Sequence, residues 1–198
     1  MISSERADTV EKVEGETYDL DLGRLSQMHT LLPASLAAQY EHRAAVGLQR
    51  HSHKPGVPMQ TCIDASPAVA RLRWALTSLW DAQQLDFHQV TEDAAEGITL
   101  ALIYEAHGWI VRRRLQLGEF ADWLLRDRAG TLVALEIGGT DTSDGDARLV
   151  EKLKQVHKSK FDVRAACVVV LAMPYATLQR LKEVQNNHEP GTPILEGF

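Results

Sequence analysis

Asp122 and Glu136 are carboxylates of the kind that hold a divalent cation, and the residues between them are built to fold back and bring the two together. The stretch from Glu119 to Glu136 has two apolar runs separated by Asp127, Arg128, Ala129 and Gly130, which is a hairpin signal. A three-residue loop of Arg128, Ala129 and Gly130, a type I turn closed by a left-handed glycine, pairs Asp127 with Thr131. Counting back along both strands sets Asp122 opposite Glu136. Opposed residues share a face with Cβ atoms about 5 Å apart, so two bare acids there repel. Mg²⁺ or Mn²⁺ would relieve that repulsion, because these ions take oxygen ligands, commonly one or two carboxylates with waters and a substrate phosphate. A metal held this way lowers the pKa of its bound water and stabilises charge on phosphoryl oxygens, the requirements of phosphodiester hydrolysis. The competing reading is a solvated sheet face whose acids are neutralised by Arg112, Arg114 or Arg126. Gly138 and Gly139, just behind Glu136, permit close backbone approach by another group, and equally permit a plain turn.

The elements that must position this pair are read from periodicity and punctuation. Thr91 is a helix cap with Glu92 in the first turn, and Gly108 ends the helix, which runs from about Glu92 to His107. Trp109 to Leu115, Glu119 to Arg126 and Thr131 to Gly138 are three strands of an antiparallel meander. A polar loop from Gly139 to Asp146 leads to a helix marked by Leu149, Val150, Leu153 and Val156. Val163 to Ala172 is a buried strand, Pro174 ends it, and Ala176 to Gln185 is expected to be helical. Upstream, Ala34 to Arg50 is a helix opening after Pro33, and Val57 to Asp64 a strand. Ala68 to Trp80 is expected to be a helix with a stripe of Leu72, Ala75, Leu76 and Leu79, anchored by Trp80. The expected organisation is a mobile acidic arm over 1–21, a helical N-terminal segment over 22–90 packed on the core, an α/β core over 91–188 and an irregular tail over 189–198.

Composition limits the classes. The chain has 198 residues with 44% apolar and 24% charged, enough for one domain with a real core. No apolar run is long enough to cross a bilayer, and no secretory leader is apparent at the N-terminus, so a cytoplasmic protein without a membrane partner is expected. A net charge of −6 argues against a surface that grips nucleic acid everywhere, while leaving room for a local basic groove. Cys62 and Cys167 are too few for a disulfide framework or a thiolate zinc cluster, and Cys167 lies in an apolar run as a core thiol.

The order helix, three strands, helix, strand over Glu92 to Ala172, about four-tenths of the chain, resembles the core of the PD-(D/E)XK, or restriction-endonuclease-like, nuclease superfamily. The resemblance implies that Asp122 and Glu136 are metal ligands, that an acid of the first helix assists, with Glu96 and then Glu92 as candidates, and that Mg²⁺ or Mn²⁺ is the cofactor. It implies hydrolysis of DNA or RNA phosphodiesters. The superfamily's lysine two residues after the strand Glu is absent, since that position is Gly138. Some members carry a substitute lysine on the following helix, for which Lys152 and Lys154 are the candidates. They flank its apolar face on opposite sides, so only one can point toward the carboxylates. Gln155 is a further polar candidate, and Lys158 and Lys160 belong to the helix end. The alternative implied by the missing lysine is a catalytically inactive nuclease-fold subunit for binding or assembly, with a protein partner or a second copy, as in a bacterial defence or mobile-element system. The His53 to Val57 segment, the Thr91-Glu92 helix and the Leu135 to Gly139 strand also resemble an uncharacterised group of bacterial proteins.

Other residues carry weaker signals. His51 and His53, with His42 or Glu41, have the types for a transition-metal site but lack a third ligand at local spacing. At least one of Arg112, Arg113 and Arg114 must face away from the others, and one or two could meet phosphate. Trp123 alternates with Asp122 and belongs to the opposite sheet face, under a helix.

Overall fold

The computed structural model describes residues 16–78, 84–142 and 144–181. Among the described residues it is an α/β structure: eight strands in one mixed sheet of order β1-β3-β2-β8-β7-β6-β5-β4, with four α-helices. In chain order these are β1 (Thr17–Asp21), a 3-10 turn (Leu22–Arg24), α1 (Leu25–Met28), α2 (Ala34–Arg50), β2 (Val57–Ile63), β3 (Ser66–Arg73), α3 (Phe87–His107), β4 (Ile110–Arg114), β5 (Trp123–Arg126), β6 (Leu132–Thr140), α4 (Gly145–Val156), β7 (Val163–Val170) and β8 (Tyr175–Leu181). No helix among the described residues is long and apolar enough to cross a membrane.

Alternation along the strands sorts the core into two layers. Val133, Leu135 and Ile137 of β6 and Ala165, Cys167 and Val169 of β7 pack with α1, α2 and α3. Ala134, Ala166 and Val168 face the other way and pack with Leu149 and Val156 of α4. The meander β4-β5-β6 is antiparallel throughout, and β6 and β7, joined through α4, are parallel. Helices α2 and α3 cross closely because each carries a glycine at a contact. A Cβ on Gly97 would stand 3.0 Å from the Cβ of Tyr40, and one on Gly47 would stand 3.5 Å from Val90 and 3.6 Å from Ala94 of α3.

Five sequence expectations are corrected. Residues 17–21 are not part of a mobile arm, since β1 lies parallel to β3 with Leu20 fully buried and Asp19 paired with Arg73. The 22–90 segment is not simply helical, because β2 and β3 join the sheet. Ala68 to Arg73 forms strand: Ala68, Ala70 and Leu72 are buried at period two, a pattern that outweighs the helical reading of Leu72 and Leu76. Asp64 and Ala65, with φ of 50° and 68°, make the two-residue turn between β2 and β3 with the left-handed geometry of type I′, here without the usual glycine. Residues 175–181 are strand rather than helix, with Ala176 and Leu178 buried, because β8 fills the slot between β7 and β2 and ties the two halves of the sheet together. Helix α3 begins at Phe87, capped by Asp86, not after Thr91, whose hydroxyl instead donates to the Phe87 carbonyl or the Asp141 carboxylate. Trp80, the arm before residue 16, and residues 182–198 lie outside the described residues.

His29 fixes the outer edge of the meander. It is fully buried, its Nε2 lies 3.0 Å from the Leu100 carbonyl of α3, and its Nδ1 accepts the Val111 N–H of β4 at 3.3 Å. Those contacts require the neutral ring, and burial holds its pKa below the ordinary value, with the Leu100 carbonyl opposing. His29→Ala should therefore cost about 3 kcal/mol in urea unfolding, because it strands two buried backbone groups and leaves a cavity.

Candidate functional site

Hairpin β5-β6 has the register read from its turn. Asp127 N–H bonds the Thr131 carbonyl at 3.0 Å, Gly130 takes φ of 93°, and the ladder runs from Arg126 opposite Leu132 to Trp123 opposite Leu135. Asp122 sits at the mouth of the hairpin, where β5 begins to leave the ladder. Its own N–H bonds the Leu135 carbonyl at 3.0 Å, and its Oδ2 accepts the Ile137 N–H at 2.8 Å. The carboxylate is thus tied to the backbone of β6 on the far side of Glu136, which fixes it beside that residue.

Glu136 belongs to the face covered by α4 and is 1% exposed. Lys152, one helical face of α4 away, donates from Nζ to Glu136 Oε1 at 2.7 Å. The route of that side chain explains Gly138. A Cβ on Gly138 would stand 3.0 Å from Lys152 Cε and 3.2 Å from Arg148 Nε, so the two helix side chains occupy the space into which a residue at 138 would project. Arg148, one turn before Lys152, donates to Glu92 of α3 at 2.8 Å. On the other face, Gly139 allows α3 to lie on β6: a Cβ there would be 2.4 Å from the Thr91 carbonyl. Close approach behind the strand carboxylate, one of the two readings of the glycine pair, is what the structure contains.

The electrostatics follow from burial. Glu136 is pushed up to about 7, first by desolvation and then by the Asp122 carboxylate, against the ammonium of Lys152, with Glu92 adding to the rise. Asp122 is raised as well, by desolvation and Glu92, although the Ile137 N–H, Lys152 and Arg114 favour its charged form. Both oxygens of one carboxylate are not equally served: Glu136 Oε2 is buried without a hydrogen-bond partner.

The structure brings together Asp122, Glu136 and Lys152, with Glu92 as the helix acid that shares their field. It takes Glu96 elsewhere. On the opposite sheet face Glu96 accepts from the Tyr40 hydroxyl, from Arg114 at 2.8 and 3.1 Å and from Trp123 Nε1 at 2.9 Å, which occupies both oxygens. Lys154 points to solvent, as the opposite side of the helix requires. Arg113 is clamped to Glu119 by two bonds of 2.8 Å. His51 and His53 do not converge on a ligand: His51 bonds Asp141 at 2.9 Å and His53 the Leu171 carbonyl at 3.0 Å. Among the described residues no group of three or more His, Cys, Asp or Glu could hold a metal ion. Cys167 is a core thiol pushed up to about 12 by burial.

Arg148 and Asp141 were not singled out from sequence. Arg148 was legible in principle, being four residues before Lys152 on the same helical face. Asp141 was not, because its partners Arg50, His51 and Thr91 come from separate segments. No protein-family model, curated protein or solved structure matches the chain.

The raised Glu136 pKa has a pH signature. The folded state keeps a proton that the unfolded chain releases near the ordinary value of 4.5, so the contribution of Glu136 to stability is complete below about 4.5 and lost as pH rises toward about 7. Urea unfolding in EDTA across that window should show Glu136→Gln, which cannot ionise, losing less stability with rising pH than the parent chain. Parallel curves would show that Glu136 ionises normally in the folded state.

Proposed function

We propose that the chain is a divergent nuclease of restriction-endonuclease-like type that hydrolyses nucleic-acid phosphodiesters with a divalent metal, its catalytic lysine supplied by helix α4. The observation that carries this reading is Lys152: its Nζ lies 2.7 Å from Glu136 Oε1, and its side chain passes over Gly138, the position where such a nuclease carries the lysine. The meander, the parallel β6-α4-β7 unit and the first helix with its acid support the same fold.

The donor set suits Mg²⁺ or Mn²⁺. Asp122 and Glu136 are neighbouring hard oxygen donors, and the buried, unpartnered Oε2 of Glu136 is the kind of atom a cation satisfies. Bound there, the metal would supply a Lewis acid and a lowered pKa for water. The chain's own groups do the positioning. The Ile137 N–H holds Asp122, and burial under α4 holds Glu136 in one place. Lys152 brings a fixed positive charge to the attacking water and the phosphoryl oxygens. In the overall step water forms a P–O bond as the bond to the leaving oxygen breaks, and the proton lost by water ends on that oxygen.

Purified protein with Mg²⁺ or Mn²⁺ should cleave DNA or RNA, and Asp122→Ala should abolish cleavage without unfolding the chain. Lys152→Ala should slow cleavage at least about a hundredfold. Adding Gly138→Lys to Lys152→Ala should recover part of the rate, because the vacated space accepts a strand lysine aimed at the same carboxylate. No cleavage on a broad panel of single- and double-stranded DNA and RNA would refute the reading.

A second reading, an inactive nuclease-fold subunit for binding or assembly, is favoured by the internal pairing of the site, in which Glu136 has Lys152 and Glu92 has Arg148. It expects a stoichiometric protein partner, or a second copy of the chain, on purification from the native host and no metal-dependent cleavage. Monodisperse protein without a partner would refute it.

A further inference from the structure

A cavity of about 610 Å³ opens between the start of α3, the end of β6 and the first turns of α4. Its size is that of a small-molecule site, ample for one nucleotide. It shares the Glu92–Arg148 ion pair with the surroundings of the candidate site.

The lining is unusual in its charge and its aromatic. Phe87 is 56% exposed although it is a large apolar side chain, and it lines the cavity. The Arg50 guanidinium stacks on its ring at 4.0 Å from the centroid, which fixes the ring and covers one face. Arg50 also bonds Asp141 at 2.8 Å, so that cation–π partner is itself held. Asp141 is met by Arg50 and His51 and Glu92 by Arg148, while Asp144 and Glu151 also line the cavity and leave it acidic. A free anion therefore finds little here. The Thr140 and Thr142 hydroxyls hydrogen-bond each other at 3.0 Å and Thr140 Oγ1 also accepts the Thr142 N–H, which leaves one hydroxyl proton and a Thr142 lone pair for a ligand. A flat, neutral ring with a hydrogen-bonding edge fits this combination.

We infer that the cavity takes the base of one unpaired nucleotide, stacked on the Phe87 ring beside the phosphodiester to be cleaved. This rests on the nuclease reading and specifies its substrate. A base within a duplex is stacked on its neighbours on both faces and cannot stack on the Phe87 ring without being extruded, so the substrate is single-stranded nucleic acid, a loop or a frayed end.

The test is fluorescence anisotropy of fluorescein-labelled DNA and RNA oligonucleotides, single-stranded and as blunt duplexes, in EDTA so that no metal is involved. The full chain should bind the single strand more tightly than the duplex. Phe87→Ala should weaken single-strand binding roughly 5- to 150-fold, the loss expected for one base stacked on an aromatic ring, with duplex binding unchanged. Phe87→Trp should retain it, and circular dichroism of each variant should match the parent. If the parent chain binds or cleaves nucleic acid while Phe87→Ala binds single strands as well as it does, or loses single strand and duplex equally, the base site is refuted and the nuclease reading stands. If the parent chain neither binds nor cleaves any of these nucleic acids, both fall.

Discussion

Burying a carboxylate on the face of a sheet requires a partner cation or a retained proton, and Glu136 obtains a cation from a helix. Desolvating an unpaired carboxylate costs several kcal/mol, far more than a surface ion pair returns. Lys152 reaches it because Gly138 has no side chain, and because Ala134, Ala166 and Val168 give α4 an apolar seat on the same face. The pair therefore sets the height and rotation of α4 over β6. Arg148, one turn back, is carried by that placement to Glu92, so one buried acid on a strand ends up linking α4 to α3.

The other face of the sheet contains a second cluster with a different balance. Glu96 is nearly as enclosed as Glu136, yet it accepts from Tyr40, Arg114 and Trp123 and has no orphaned oxygen. Arg114 spans the two clusters: it is bound to Glu96 and its field reaches Asp122. Adjacent residues of β5, Asp122 and Trp123, thus report to opposite faces. One face is saturated with donors, as a structural network must be, while the other leaves an acceptor open.

The hairpin, its turn and the register at Asp122 were legible because a glycine in the left-handed region and two apolar runs fix a count that does not depend on distant residues. Helix α2 was legible for the same local reason, and Gly108 marked the end of α3. Strands β1, β3 and β8 were not, because what makes them strands is pairing with segments far away in sequence. Ala68 to Leu72 fits a helix and a strand about equally, and β2, β1 and the layer of α2 and α3 decide it. The site was legible in its strand members and in the two lysines to compare, but not in the choice between Glu92 and Glu96. Those acids are one turn apart, and only the crossing of α3 over Gly139 directs the first toward α4 and the second toward Tyr40 and Arg114.

The charge arithmetic of the site joins its pKa values to its proposed metal. Three acids, Glu92, Asp122 and Glu136, share a field with two cations of α4, Arg148 and Lys152. Arg114 adds to that field but is committed to Glu96. One negative charge is therefore in surplus in a region that burial has made poor in water. A surplus of this kind can be relieved by a proton, which is what the upward shift of Glu136 describes, or by a cation brought from outside. The two are in competition for the same oxygens, so the protonated carboxylate and the metal-bound one are alternative answers to one constraint. Lys152 on α4 pairs with one oxygen of Glu136 and leaves the other open, so the lysine narrows the choice between proton and cation without closing it.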